Sequence, residues 1–249
     1  MYRERLVATE AHSESARRLQ QLLLNYHDFR RLKAEHPLME HAIHVADWQA
    51  ERLKSTHGDL YRHPGYHHGL EFLLTDLYAP AGMTRRDDNI DRVFPKMVKW
   101  LPENLLDTFA GLVELNLTTQ QLDLELAELF HQQGVSAQSI TTEDYCAAYR
   151  KSRRLEQREK QITLVADVGQ QLDRYVRNRT LGWLLSMTRG PAEMADLTDL
   201  HSFLHRGYSA FRKMDDVELL IDRLVSREQR VMRNILDHHP APFSLPETL

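Results

Sequence analysis

Seven of the fourteen histidines fall between His36 and His68, a density that suggests metal ligation. A metal centre in a helical bundle needs imidazoles and carboxylates projecting inward from facing helices, with Glu-x-x-His spacing in the di-iron class. Glu40 and His44 are four apart instead, although Glu40, His44, Asp47 and Glu51 share one helix face. That face lies largely opposite the apolar stripe of Met39, Ile43, Ala46 and Ala50, which favours a solvated surface. His63 and His67 flank Pro64 and Gly65, where helical spacing cannot be assumed. Glu40, His44, His63 and His67 are therefore an alternative metal set, and the leading expectation is no metal and no cofactor. His201 and His205, four apart, could share a metal, but no HExxH motif accompanies them.

Other chemistries find less support. Cys146 sits in an apolar-rich helix start, where a buried, inert thiol is expected. There is no Gly-x-Ser-x-Gly elbow, and the ten glycines form neither a P-loop nor a dinucleotide fingerprint. No catalytic residue is assigned. Trp48, Arg52, Tyr61, Tyr78, Arg86 and Asp87 combine apolar bodies with polar tips, as ligand pockets do. Core packing competes with that pocket reading.

Charge is segregated along the chain. From Trp100 to Tyr149 there are eight acids and no Lys or Arg; Arg150, Lys151, Arg153, Arg154, Arg158 and Lys160 then reverse the sign. Pairing between the two stretches is favoured over a nucleic-acid face, because the chain has a net charge of −4 and a pI near 6.4. Bridges from Arg150, Arg158, Arg174 and Arg206 to Asp107, Asp123 or Asp173 would suit bidentate geometry. The single cysteine excludes an intrachain disulfide and a thiolate metal cluster, and no apolar run reaches the roughly 18 residues of a membrane span. A soluble, cytoplasmic protein without membrane association is expected.

The elements that must position these residues are helical throughout, since no β-branched alternation is long enough for a sheet. The expected fold is all-α, a compact bundle of about ten helices in a single domain over residues 1–240, with a loose tail over 241–249. One helix spans about Arg3 to Glu35, and a second carries Met39 to Leu53. Thr56 to Gly65 reads as a loop, Pro80 and Gly82 as a turn, and Thr84 with Asp87 as a capping box. Pro95 should kink or break a helix, and Pro102 should occupy a first helical position. Thr118 and Gln121 form a second capping box, for a helix that Gly134 ends. A long helix should run from Thr141 towards Asn178, with a charged middle that permits a bend. TLGWLLSMTRGP reads as a connection, Pro191 to Met214 as a helix, and Val217 to Ile235 as the last amphipathic helix.

Phe72, Leu73, Asp76, Leu77 and Tyr78, followed by Pro80, Gly82, Arg86 and Asp87, resemble the signature of the bacterial FFLEELY-motif proteins. The resemblance continues through Tyr149 to Ile162 and Phe203 to Met214. Leu74 and Thr75 stand where the motif has acids. The resemblance implies kinship and no activity, since that family has no established one. The leading functional expectation is a non-catalytic binding or self-associating protein, with a homo-oligomer or a protein partner. The alternatives are a helical-bundle metal-dependent oxygenase and a carrier of an apolar ligand.

Overall fold

The computed structural model describes residues 2–78, 84–177, 179–194 and 197–244, and every regular element among them is helical, as expected. The side chains of Tyr2, Leu77, residues 84–87, 179–181, Leu184, Pro191 and Ala192 lie outside the described ones, as does the Pro80/Gly82 turn.

The spine is α7 (Glu103–Gln133), a 31-residue helix that carries apolar residues on all sides and is therefore largely covered between its exposed ends. It packs against α2 (Glu14–Glu35), α3 (Met39–Thr56), α8 (Thr142–Ser152) and α9 (Leu155–Val176). The capping box expected at Thr118 is not a helix start. Thr118 and Thr119 are buried in mid-helix, where the packing of Leu117, Leu122 and Leu124 outweighs a local capping preference. Gly134 does end the helix, at a left-handed φ of 69° that glycine adopts without steric cost. Pro102 is the N-cap, one residue before the expected position.

Several other boundaries shift. The expected first helix divides into α1 (Tyr2–Ala8) and α2, because the Ser13 hydroxyl accepts from Ala16 N–H and caps a new start. The Thr56 to Gly65 loop contains a helical turn, α4 (Gly58–Arg62), and α5 (His67–Phe72) follows it. Helix α6 (Thr84–Trp100) runs through Pro95 unbroken. Thr141 and Asp144 form a reciprocal capping box for α8, which ends where Arg153 takes φ 53°; the long helix expected there is thus two, α8 and α9. TLGWLLSM is itself helical as α10 (Arg179–Met187), and Pro191 to Met214 divides into α11 (Arg189–Met194) and α12 (Thr198–Arg212). The last helix, α13 (Val217–Leu236), opens on an Asp216 cap. In the tail, Asn234 donates to Pro242 O, and Phe243 packs against Trp48 and Tyr145.

Three apolar clusters hold these helices together. Leu6, Leu19, Phe94 and Leu106 join α1, α2 and α6 to the start of α7, while Val45, Phe130, Tyr145 and Ile235 join α3, α8 and α13 to its end. Leu60, Phe72, Phe211 and Ile221 form the third. Burying a side chain such as Phe130 contributes about 1.5–3 kcal/mol. The acidic and basic stretches meet as anticipated: Arg154 pairs with Glu125, and Lys160 and Arg18 both reach Glu114. Arg158 does something else. It turns inward and lies 3.7 Å from the centre of the Tyr149 ring, with Nε and Nη2 lacking hydrogen-bond partners among the described residues. Of the anticipated bridges, Asp107 instead receives Arg18, Asp173 receives Arg177, and Arg206 reaches Asp76.

Candidate functional site

The long helices do not close completely on one another. Between α3, α5, α7, α9 and α13 lies a cavity of about 220 Å³. Gly169 of α9 sets one boundary: a Cβ there would stand 2.4 Å from Ile221 Cδ1, so α9 and α13 touch almost backbone to side chain at that level. Away from that contact the walls are Leu53, Leu70, Leu115, Val165, Leu172 and Leu224.

The segment after α5 contributes a second wall through an unusual backbone. Leu73–Leu77 form a π-helical turn in which Tyr78 N–H donates to Leu73 O at 2.9 Å. The wider turn brings Leu73, Leu74 and Tyr78 onto the cavity together, while Phe72 packs away from it against Phe203 and Phe211. A regular helix, with 3.6 residues per turn, would carry Leu73 and Tyr78, five apart, to different faces.

One side of the cavity is polar and is built from two hydrogen-bonded sets of side chains. In the first, Glu228 of α13 accepts from Arg52 Nη1 at 2.7 and 2.8 Å and from His57 Nε2 at 2.8 Å. Burial alone would raise the Glu228 carboxyl, but Arg52 and His57 outweigh it and hold it at about 2. Desolvation likewise opposes the Arg52 charge, and Glu228 more than offsets it, so the guanidinium stays ionised. Because Glu228 is a carboxylate, His57 donates through Nε2, and its Nδ1 has no partner among the described residues.

In the second set, Asp123 of α7 accepts from Tyr78 OH at 2.9 Å and from Gln49 Nε2 at 2.6 Å, and Tyr145 OH donates to Gln49 Oε1 at 2.7 Å. Burial pushes the Asp123 carboxyl up to about 6, against the lowering effect of those two hydrogen bonds. Burial and the neighbouring Asp123 both raise the Tyr78 phenol, so it acts as a neutral donor. Of the polar cavity-lining residues, Arg52 and His57 pair with Glu228 and Gln161 donates to Thr119, while Gln49 and Tyr78 are held by Asp123 behind them; none of the lining residues is a cysteine, serine or lysine. Such a wall can orient a polar group on a bound molecule, and it supplies no activated nucleophile. Cys146 is buried in the cluster around Phe130, and desolvation raises its thiol.

The structure brings Arg52, Tyr61 and Tyr78 together on this cavity. Trp48 lies behind it, stacked on Tyr145 with ring centroids 4.4 Å apart and donating Nε1–H to Ile140 O at 2.9 Å. The side chains of Arg86 and Asp87 lie outside the described ones. The histidine set is not gathered in one place. Glu40 and His44 are exposed on α3. His63 is exposed and stacks on Tyr66. His67 belongs to a different group, with His68 and Glu71. His201 Nε2 lies 2.7 Å from Leu185 O, and its ring stacks on that of His205 with centroids 6.4 Å apart.

Gln49, His57 and Glu228 had not been singled out from the sequence. A signal existed for two of them. Gln49 interrupts the buried run of Ala42, Val45, Ala46 and Ala50, and Glu228 stands in the stripe of Leu220, Leu224, Val231 and Ile235. A polar residue at a core-facing position implies a buried partner.

A family model described as a domain of unknown function (DUF8198) matches residues 28–242. No curated protein and no solved structure matches the chain.

Proposed function

Because the chain belongs to the DUF8198 family, whose description names no activity, we propose from the site that it is a binding protein for a small, largely apolar molecule with one polar head group. The observation that carries this reading is the 220 Å³ cavity, apolar on most sides and faced on one by Arg52, His57, Tyr78 and Glu228. An apolar cavity of about 150 Å³ takes benzene, whereas drug-sized sites begin near 300 Å³. The occupant is therefore a single-ring compound or a short branched chain. Its oxygen would be held by the Arg52 and Tyr78 side of the wall. This keeps the non-catalytic binding role and takes the apolar-ligand alternative as its specific form.

The test is thermal denaturation of the protein with phenol, benzyl alcohol and toluene, repeated on Val165→Phe, which fills the cavity. We expect a raised midpoint in the wild type and at least a tenfold loss of apparent affinity in the variant. Failure of all three probes to raise the midpoint, or an equal response in both proteins, overturns the reading.

A second reading, self-association or a protein partner, is favoured by Trp183 and Met187, exposed one turn apart on α10. Light scattering across a dilution series tests it; a monomer at all concentrations argues against self-association. On the residues from Phe72 to Tyr78 we also place the chain with the bacterial FFLEELY-motif proteins. Its single cysteine supports a cytoplasmic location, and the shared spine α7 supports one domain. Among the described residues no helix is long and apolar enough to cross a membrane.

A further inference from the structure

We propose that His67, His68 and Glu71 form a binding site for a divalent transition metal of the zinc class at the start of α5, independent of the cavity reading. One ligand atom from each of the three comes within 4.8 Å of the others. The strongest constraint is on His67, whose Nδ1 lies 2.9 Å from the carbonyl oxygen of Tyr61. A carbonyl only accepts, so Nδ1 carries the ring proton in the neutral imidazole and Nε2 presents a lone pair. This is how metal-binding histidines are commonly oriented, with the second ring nitrogen donating to a backbone carbonyl. The Tyr61 ring, edge-on to His67 at 5.0 Å between centroids, further limits its rotation.

His67 Nε2 lies 3.6 Å from Glu71 Oε2. Two acceptors facing each other at that range repel unless something positive lies between them, and a proton or a metal ion would serve. The spacing suits the metal: bonds of about 2.0–2.2 Å in a tetrahedral site put neighbouring ligand atoms roughly 3.4 Å apart. His68 and Glu71 are exposed, so closing the remaining distance requires only surface side-chain rotation. Two imidazoles and one carboxylate are a donor set that zinc accepts, with a fourth position left to water. Access is open, because His67 and His68 line a surface recess with Tyr61, Arg62 and Pro64. Glu40, His44 and His63 have no place in this set.

The experiment uses tag-free, metal-free protein titrated with Zn²⁺ by calorimetry at pH 7.5, and with Co²⁺ followed by visible absorption. One equivalent should bind, and the cobalt form should show the intense visible band of a four-coordinate ion. His67→Ala and Glu71→Gln should each weaken Zn²⁺ binding at least tenfold, His44→Ala should leave it unchanged, and binding should weaken as the pH is lowered from 7.5 to 5.5. Circular dichroism confirms that the variants fold, and His67→Gln supports the assignment if the alanine variant does not. No saturable binding up to 100 µM Zn²⁺, or affinity unchanged in both Glu71→Gln and the His67 variants, overturns the site.

Discussion

The polar wall of the cavity and the histidine-rich segment from His36 to His68 differ in where their chemistry comes from. The wall draws Gln49, Arg52 and His57 from one stretch, Asp123 from the spine and Glu228 from the last helix, so Arg52 meets a residue 176 positions away. The histidine segment has its groups adjacent in sequence, yet His44, His63 and His68 are exposed while His57 is buried. Sequence density thus drew attention to a stretch whose histidines, His57 apart, are exposed or half-buried, and the polar wall was assembled from single polar residues on the buried faces of amphipathic helices. Adjacent residues on a helix cannot all face one interior, because they diverge by about 100° each.

If the wall is as desolvated as its geometry indicates, cutting it should be far more costly than cutting the histidine segment. Glu228→Ala leaves Arg52 and His57 buried without their carboxylate and should cost about 3–5 kcal/mol in urea unfolding. A cost below about 1 kcal/mol would mean that water already screens these charges.

The two carboxylates should also give opposite pH limbs. Asp123 keeps its proton in the folded state up to about 6, against an ordinary value of 3.8, so its stabilising contribution is present below pH 3.8 and is lost as pH rises to 6. At about 1.4 kcal/mol per pH unit the change is on the order of 3 kcal/mol. Glu228, held at about 2 against an ordinary 4.5, stabilises above pH 4.5, and its contribution is lost as pH falls towards 2. Denaturation curves from pH 2 to 7 should therefore lose the upper limb in Asp123→Asn and the lower limb in Glu228→Gln. Persistence of the upper limb in Asp123→Asn would move its origin to another group.

Tyr78→Phe removes one of the two donors to Asp123 and should cost about 1–2 kcal/mol, while lowering the midpoint of the upper limb is not expected; the carboxyl should titrate higher without that donor. At the other extreme, His44→Ala and His63→Ala, both exposed, should stay within about 0.5 kcal/mol of the wild type. A cost above 1 kcal/mol for either would erase the contrast between the two regions.

Much of the fold was legible from local patterns. Gly134 marked a true helix end and Thr141 a true helix start, because the chemistry of both is satisfied within a few residues. The misread capping box at Thr118 has a tertiary cause. Thr118 with Gln121 had a cap's spacing, but burial of the surrounding leucines kept α7 continuous, and Pro95 was tolerated within α6. For the site, Arg52, Tyr61 and Tyr78 were identifiable as amphipathic side chains near the motif. Nothing local could show that Leu73–Leu77 would open into a π-turn and turn Tyr78 towards Asp123.

By itself, then, the sequence determined an all-helical chain, the apolar stripes of its helices, the helix end at Gly134 and the start at Thr141, and an acidic stretch followed by a basic one. These depend on periodicity, spacing and composition, which act over a few turns. Only the tertiary structure decided that Glu228 neutralises Arg52, that Asp123 is buried with Tyr78, that Arg158 lies on Tyr149, and that a cavity remains between α9 and its neighbours. Those outcomes depend on how close the helices can pack, and that is set by contacts between residues far apart in the chain.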